Sequence, residues 1–292
     1  MRGLFTVLLF IIFFLAFPVA VLTFSLRPLL TADYLKERLA ESKVYTAVSE
    51  TLPKFISSLG DERGGVPAAQ QKLIVKVVTK EVTDKYLQSK TETIIEDSFA
   101  YITGESTALP TITFTELQSK VKAAFGKTSV PADLNKLLSQ PVKISPGGPL
   151  DKLKDVYTYS QQALLYTSVI SGIALLGIIV LAQGIKSKLR QVALALFLSS
   201  LLGLSVSVGL GFLGTVATGL GTGALQDSEG FNAFVEPIRT MLETLSLDVF
   251  KAAAIPFAII LGIAVVLFIL SFFFKDYAIK APSGRLEPQI IR

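Results

Sequence analysis

The chain has 292 residues, of which 51% are hydrophobic and only 17% are charged, and its formal net charge is +5. It contains no Cys, no His and no Trp. These absences exclude disulfides, thiolate nucleophiles, Cys-ligated metal centres, haem ligation by His and the Ser-His-Asp triad.

Four long segments carry no charged side chain, and each is long enough to cross a bilayer core as a helix. They predict transmembrane helices over residues 1–25, 161–183, 191–219 and 252–274. The first could also be read as a signal peptide, because Arg2 precedes an apolar run. The run is longer than a typical h-region and no A-x-A-like site follows it, so we expect an uncleaved anchor.

Residues 26–160 form the large region between the first two predicted spans, here called the inter-span domain. Lys and Arg nearly balance Asp and Glu in it, which argues against a nucleic-acid partner. Apolar spacings of three and four predict a mostly helical domain. The predicted helices cover residues 33–59 (kinked at Pro53), 68–79, 80–103, 115–125 and 131–138, with a short extended segment at 111–115.

The turn-rich stretch Ser145–Pro149 is the clearest break in the chain. No breaker separates it from the second span, so we expect one long helix there. The short loop 184–190 that follows is basic, with Lys186, Lys188 and Arg190 and no acid. Because Lys and Arg favour the cytoplasmic side of short loops, this loop, the N-terminus and the 275–292 tail are expected inside. The inter-span domain and segment 220–251 are then extracytoplasmic.

The third predicted span carries a small residue at every fourth position, here called the small-residue ladder. Positions four apart share one helix face, and small side chains there allow close approach of another helix in lipid. The ladder consists of Ala195, Ser199, Gly203, Ser207, Gly211, Thr215, Gly219 and Gly223. Its predicted partners are Ser168 and Gly172 of span two and Ala254, Ala258 and Gly262 of span four, with association of a second copy as the alternative. The row is about 42 Å long, which exceeds the bilayer core, so Gly219–Gly223 is expected to be a loop.

Segment 220–251 contains a strongly periodic amphipathic stretch, residues 231–250. It could lie on lipid or pack on protein. Its acidic balance favours protein, because helices that lie on lipid are usually rich in Lys and Arg.

No arrangement of side chains in the sequence indicates an enzyme. The carboxylates Asp61-Glu62, Glu81/Asp84 and Glu96-Asp97 lack the D-x-D-x-D-G pattern of a calcium loop, and interspersed Lys and Glu are typical of a solvated helix face. The run Gly219-Leu-Gly-Thr-Gly lacks the Lys and the strand of a phosphate-binding loop. No cofactor or metal is expected.

Two stretches carry a resemblance: Asp33–Tyr45 directly after the first span, and Ile94–Gly104 followed by Ile112-Thr-Phe and Leu117–Lys120. They resemble a group of bacterial multi-span envelope proteins with a large first extracytoplasmic loop. The resemblance implies an inner-membrane location and no particular activity.

The sequence therefore predicts an all-α membrane protein with four spans, N- and C-termini inside, and a helical extracytoplasmic domain between spans one and two. The expected function is that of a non-enzymatic scaffold, accessory subunit or sensing module, with the bilayer and a protein partner as its contacts. A lipid- or solute-handling protein, or a channel-like homo-oligomer, is the alternative. An enzyme using carboxylates at the outer face is a third possibility.

Overall fold

A computed structural model describes residues 2–51, 68–125, 130, 132–143, 147–226 and 232–274. Within these residues the chain is almost entirely helical. The helices are α1 (Arg2–Leu26), α2 (Ala32–Glu41), α3 (44–51), α4 (Ala68–Glu81), α5 (Asp84–Thr103), α6 (Thr115–Phe125), α7 (Ala132–Ser139), α8 (Pro149–Leu181), α9 (Ile185–Gln226) and α10 (Asn232–Phe273). Strands β1 (Thr111–Ile112) and β2 (Val142–Lys143) pair antiparallel, with Thr111 opposite Lys143.

Four of these helices are long and apolar enough to cross a membrane, as the uncharged segments predicted. They are α1, α8, α9 and α10. Helix α8 runs without interruption from Pro149 to Leu181, which confirms the single long helix expected after the Ser145–Pro149 break.

Two boundaries differ from the sequence prediction. The helix predicted over residues 33–59 breaks at Ser42 and Lys43, because Lys43 adopts a left-handed φ of 58° and ends α2. The predicted kink at Pro53 and the loop Gly60–Pro67 lie outside the described residues. The predicted loop at Gly219–Gly223 is wrong, because these residues continue α9 to Gln226. A helix satisfies its backbone hydrogen bonds internally, so it can extend beyond the bilayer without a loop.

The amphipathic stretch and the fourth predicted span form one helix, α10, although Pro256 lies inside it. With 42 residues each, α9 and α10 are about 63 Å long, twice the thickness of a bilayer core.

The described chain divides into two compact units. Among the described residues, the first unit contains 2–21, 165–205 and 255–274, and the second contains the described parts of 22–164 and 206–254. The first unit has a core formed by α1, α8 and α9 around the buried Phe13 and Ile178, where Phe13 and Phe17 stack at 4.8 Å between ring centroids.

The second unit has its own hydrophobic core, formed by α4, α6 and α7 within the inter-span domain. The buried members are Ile74, Val77, Val78, Val82, Val121, Phe125 and Leu138. Side-chain caps define the starts of two other helices in this unit. Thr31 accepts a hydrogen bond from the Tyr34 amide at the start of α2, and Thr83 accepts one from the Tyr86 amide at the start of α5.

Candidate functional site

The small-residue ladder of α9 is buried at Ala195, Ser199, Gly203 and Ser207 and exposed at Thr215 and Gly219. In the first unit, Ala195 and Ser199 are 2% and 0% exposed, and Gly203 is buried. In the second unit, Ser207 is fully buried, whereas Thr215 and Gly219 are exposed. The side of α9 that carries the ladder is therefore a packing face over half of its length.

Large side chains of α10 occupy the space beside two glycines of the ladder, Gly203 and Gly211. In the first unit, a Cβ on Gly203 would lie 2.2 Å from Cε1 of Phe257, a ring that is completely buried. In the second unit, a Cβ on Gly211 would lie 3.1 Å from Phe250. An aromatic ring thus occupies the space that each glycine leaves open.

Most of the residues predicted as the ladder's partners are exposed rather than buried. Ser168, Gly172, Ala258 and Gly262 are exposed, and a Cβ on either glycine would meet nothing within 4 Å. Ala254 is partly buried. In α8 the close approach is instead at Gly177, where a Cβ would lie 2.7 Å from Leu9 of α1. The structure thus packs the ladder against large side chains of α10, whereas Ser168, Gly172, Ala258 and Gly262 are exposed.

In the second unit, α9 and α10 approach closely at Gly214. A Cβ there would lie 2.1 Å from Oγ of Ser246, whose hydroxyl donates to the Gly211 carbonyl at 3.5 Å. Beside this contact lies an open groove of about 860 Å³, here called the α9–α10 groove. One part of its wall is apolar, with Val208, Phe212, Leu247 and Phe250, and another is polar, with Thr215, Arg239 and Glu243.

The α9–α10 groove is open along its apolar wall. Phe212 is 68% exposed, Val208 61% and Leu247 49%. Among the described residues, a Cβ on Gly219 would meet nothing within 4 Å, so none of them fills the groove there. Arg239 donates from Nε to Glu243 at 2.8 Å, and both side chains are about half exposed.

A polar cluster joins α2 to α10 within the second unit. The Tyr34 hydroxyl donates to Oδ2 of Asp248 at 2.7 Å, and Arg38 Nε lies 3.0 Å from the same oxygen. Arg38 also stacks its guanidinium over the Tyr34 ring at 5.1 Å. The Nε contact is ionic and not an aligned hydrogen bond, since Arg38 Nε is buried without a hydrogen-bond partner.

Two side chains of the Asp248 cluster, Tyr34 and Arg38, have shifted pKa values. Burial raises the pKa of the Tyr34 hydroxyl, and the hydrogen bond to Asp248 raises it further. The pKa of Arg38 is also raised, first by its hydrogen bond with Tyr34. The cluster therefore keeps the Tyr34 phenol protonated and the Arg38 guanidinium charged at neutral pH.

A second link joins α5 to α8. The Tyr101 hydroxyl donates to Asp151, which also accepts from the Gly147 amide, and Lys154 lies 4.4 Å from the Tyr101 ring centroid. The hydrogen bond from Tyr101 is the main cause of the lowered pKa of Asp151. Neither this link nor the Asp248 cluster was predicted from the sequence. Pairs so far apart in the chain leave no local spacing signal.

The carboxylates considered in the sequence do not converge on one site. Glu81 pairs with Lys120 at 2.5 Å, and Glu96 with Lys36 at 2.5 Å. Asp84 accepts hydrogen bonds from Ser49 and from Thr46. Asp61 and Glu62 lie outside the described residues. Across the described part of the chain, no group of three or more Asp or Glu is placed to hold a metal ion.

A shallower cleft of about 520 Å³ lies between α2, α5 and α8. Asp33, Lys36 and Glu96 line it and form ion pairs with one another. Paired surface charges of this kind are typical of a solvated junction between helices.

No protein-family model, no curated protein and no solved structure matches the chain.

Proposed function

We propose that this chain is a non-enzymatic multi-pass protein of the bacterial inner membrane that serves as a scaffold, accessory subunit or sensing module. Its inter-span domain lies outside the cytoplasm and is the part that meets a protein partner. The basic loop with Lys186, Lys188 and Arg190 supports this orientation, because such loops are retained in the cytoplasm.

The contact between Tyr34 and Asp248 supports the same topology. Tyr34 follows the first apolar helix, and Asp248 precedes the apolar part of the fourth. Four crossings put these two segments on one side of the membrane, as a hydrogen bond of 2.7 Å between them requires.

The observation that carries the partner role is an apolar stripe on the part of α8 that precedes the predicted span at residues 161–183. Leu153, Val156 and Tyr159 follow one another at steps of three and are 50%, 63% and 68% exposed. Exposed apolar groups that cluster on a surface mark sites of protein or membrane interaction. The stripe belongs to a unit that the Asp248 cluster and the Tyr101–Asp151 link hold together, so a partner would meet a preformed surface.

Two experiments test the proposal. A reporter fused after Gly148 is expected to respond as extracytoplasmic and one fused between Lys186 and Arg190 as cytoplasmic; the reverse pattern would overturn the orientation. For the partner, we expect purification from the native host in mild detergent, after crosslinking, to recover an additional protein.

The Val156→Lys variant should lose that protein, whereas Thr158→Lys, which adds the same charge at an exposed polar position of α8, should retain it. Recovery of the chain alone from the crosslinked membranes would contradict the partner role.

A further inference from the structure

Beyond the proposed scaffold role, and independently of it, we propose that the α9–α10 groove binds one phospholipid. Its acyl chain lies along Phe212, Leu247 and Phe250, and its phosphate lies at Arg239. The lipid comes from the leaflet on the side of the inter-span domain.

The position of the groove along α9 is the first reason. Residues 191–226 carry no charged side chain, which makes an uncharged helix about 54 Å long. Val208 lies about 27 Å along the helix from Arg190, close to the thickness of a bilayer core. The groove therefore opens where the hydrocarbon ends, and its apolar wall continues from the lipid-facing surface of the helix.

The exposed surface of the groove is the second reason. Phe212, the neighbouring Leu213 and Val208 are each more than 60% exposed, and they extend α9's apolar surface past the bilayer core. A contiguous apolar surface of this kind in contact with water is unfavourable and indicates a binding site. Membrane lipid is the apolar partner present at the mouth of the groove.

The dimensions and polarity of the groove match an amphiphile. Its volume of about 860 Å³ lies within the range of ligand sites. Phe250 and Arg239 are separated by about 16 Å along α10, and half of a bilayer core, the depth of one acyl chain, is about 15 Å. The groove is thus apolar at Phe250, the end near the membrane. It is charged at Arg239, which lies about one acyl-chain length from Phe250.

Arg239 is suited to a phosphate. Its hydrogen bond to Glu243 uses Nε, so that bond does not occupy the two terminal nitrogens that fork onto phosphate oxygens. An exposed pair four residues apart on a helix is weak and can be exchanged for a phosphate contact. Glu243 beside it offers a carboxylate to a headgroup ammonium, so a zwitterionic phospholipid fits both charges.

A helix of a partner protein or a second copy of this chain would cover the same surface. The gradient from apolar to charged over one acyl-chain length favours the lipid, since a helix would need apolar contacts along the whole groove. These two occupants are outcomes of the test.

The test is native mass spectrometry of the full chain released from nanodiscs of phosphatidylethanolamine and phosphatidylglycerol. We expect one phospholipid to stay bound after detergent exchange. Gly219→Leu fills open space in the groove, and Arg239→Gln removes the phosphate contact. Each should lower the retained lipid by about tenfold.

Gly209→Leu is the matched control. Gly209 lies on α9 outside the groove, and a Cβ there would also meet nothing within 4 Å. This variant should retain the lipid, and circular dichroism should show the same helix content in all three variants.

Three results would overturn the proposal. They are a wild-type chain without lipid, equal lipid retention in Gly219→Leu and the control, and a dimer or a bound protein that Gly219→Leu abolishes.

Discussion

The absence of a side chain at Gly203 of α9 leaves room for the ring of Phe257 of α10. A Cβ on Gly203 would lie 2.2 Å from Cε1 and 2.3 Å from Cζ of a Phe257 side chain that is 0% exposed. Gly203 is thus a steric requirement of the contact between α9 and α10.

We expect Gly203→Ala to destabilise the protein by about 2 kcal/mol, because overpacking a filled site forces side chains and backbone to shift. Thermal unfolding in detergent measures the effect. Gly209→Ala, on the same helix with open space around it, is the control and should not lose stability, because alanine is the better helix former. Adding Phe257→Leu to Gly203→Ala should recover part of the loss; no recovery would show that the ring is not the obstacle.

The cluster around Asp248 predicts a second loss of stability. In Asp248→Asn the carboxylate charge is removed, and the guanidinium of Arg38, whose side chain is only 22% exposed, keeps Glu41 as an ion-pair partner but loses Asp248. We expect a loss of about 2 kcal/mol, typical of a hydrogen bond to a charged group. Limited proteolysis of the inter-span domain reports this loss as faster cleavage.

Two further variants test whether Tyr34 and Asp248 are coupled. Asp33→Asn on α2 changes a carboxylate that is 95% exposed and should leave cleavage unchanged. If Tyr34→Phe and Asp248→Asn had fully additive effects, the two residues would not interact directly.

Replacing Lys43 by glycine is expected to raise the stability of the protein. Its φ of 58° is left-handed, which costs an L-residue with a Cβ about 1 kcal/mol relative to glycine. Lys43→Gly should raise the melting temperature, whereas Lys43→Ala, which keeps the Cβ, should not. Equal melting temperatures for the two variants would contradict this account of the break between α2 and α3.

Replacing Ser200 by alanine is also expected to raise stability, because it removes a buried polar group. It is 0% exposed, and its hydroxyl has no hydrogen-bond partner within the described chain. Removing an unsatisfied buried hydroxyl should stabilise the protein, so we expect Ser200→Ala to gain about 1 kcal/mol. Ser205→Ala is the control, because the Ser205 hydroxyl is exposed and donates to the Leu201 carbonyl at 2.9 Å. A lower melting temperature for Ser200→Ala would show that the hydroxyl is engaged.

The inter-span domain should lose stability in acid. Hydrogen bonds from Ser49 and Thr46 hold the pKa of Asp84 below its ordinary value of 3.8, and the bond from Tyr101 does the same for Asp151. A carboxyl with a lowered folded pKa stabilises the fold above pH 3.8, and this contribution disappears as the pH falls through the folded pKa.

Near-UV circular dichroism of the tyrosines is therefore expected to change below about pH 4. Asp84→Asn should make this transition shallower, and Asp97→Asn on the same helix should not. A transition identical in wild type and Asp84→Asn would rule out this source of acid sensitivity.

The sequence predicted those helices that depend on local residue patterns. Uncharged segments predicted the four long helices, and the absence of a breaker after Pro149 predicted the continuous α8. It did not predict the break at Lys43, because lysine carries no preference for a left-handed φ. It placed a loop at Gly219–Gly223 because the ladder is longer than a bilayer core, whereas α9 continues there as a helix.

Spacing predicted the ladder as a packing face and other small residues as its partners. Small residues were expected to meet small residues, whereas Phe257 and Phe250 fill the glycine notches. The rotation of α10 about its axis decides which residues face α9, and that rotation depends on how large side chains pack. The pairing of Tyr34 with Asp248 was equally hidden, because it joins distant segments.

That distance has a consequence for biogenesis. Tyr34 and Asp248 are 214 residues apart, so their bond cannot form until nearly all of the chain has been synthesised. At ribosomal rates of about 5–20 residues per second, Arg38 and Tyr34 wait roughly 10 to 40 seconds for their partner. During that interval the start of α2 lacks its contact with α10. The contact between α2 and the rest of its unit is therefore completed only when α10 arrives, which makes an intact α10 a condition for finishing this part of the fold.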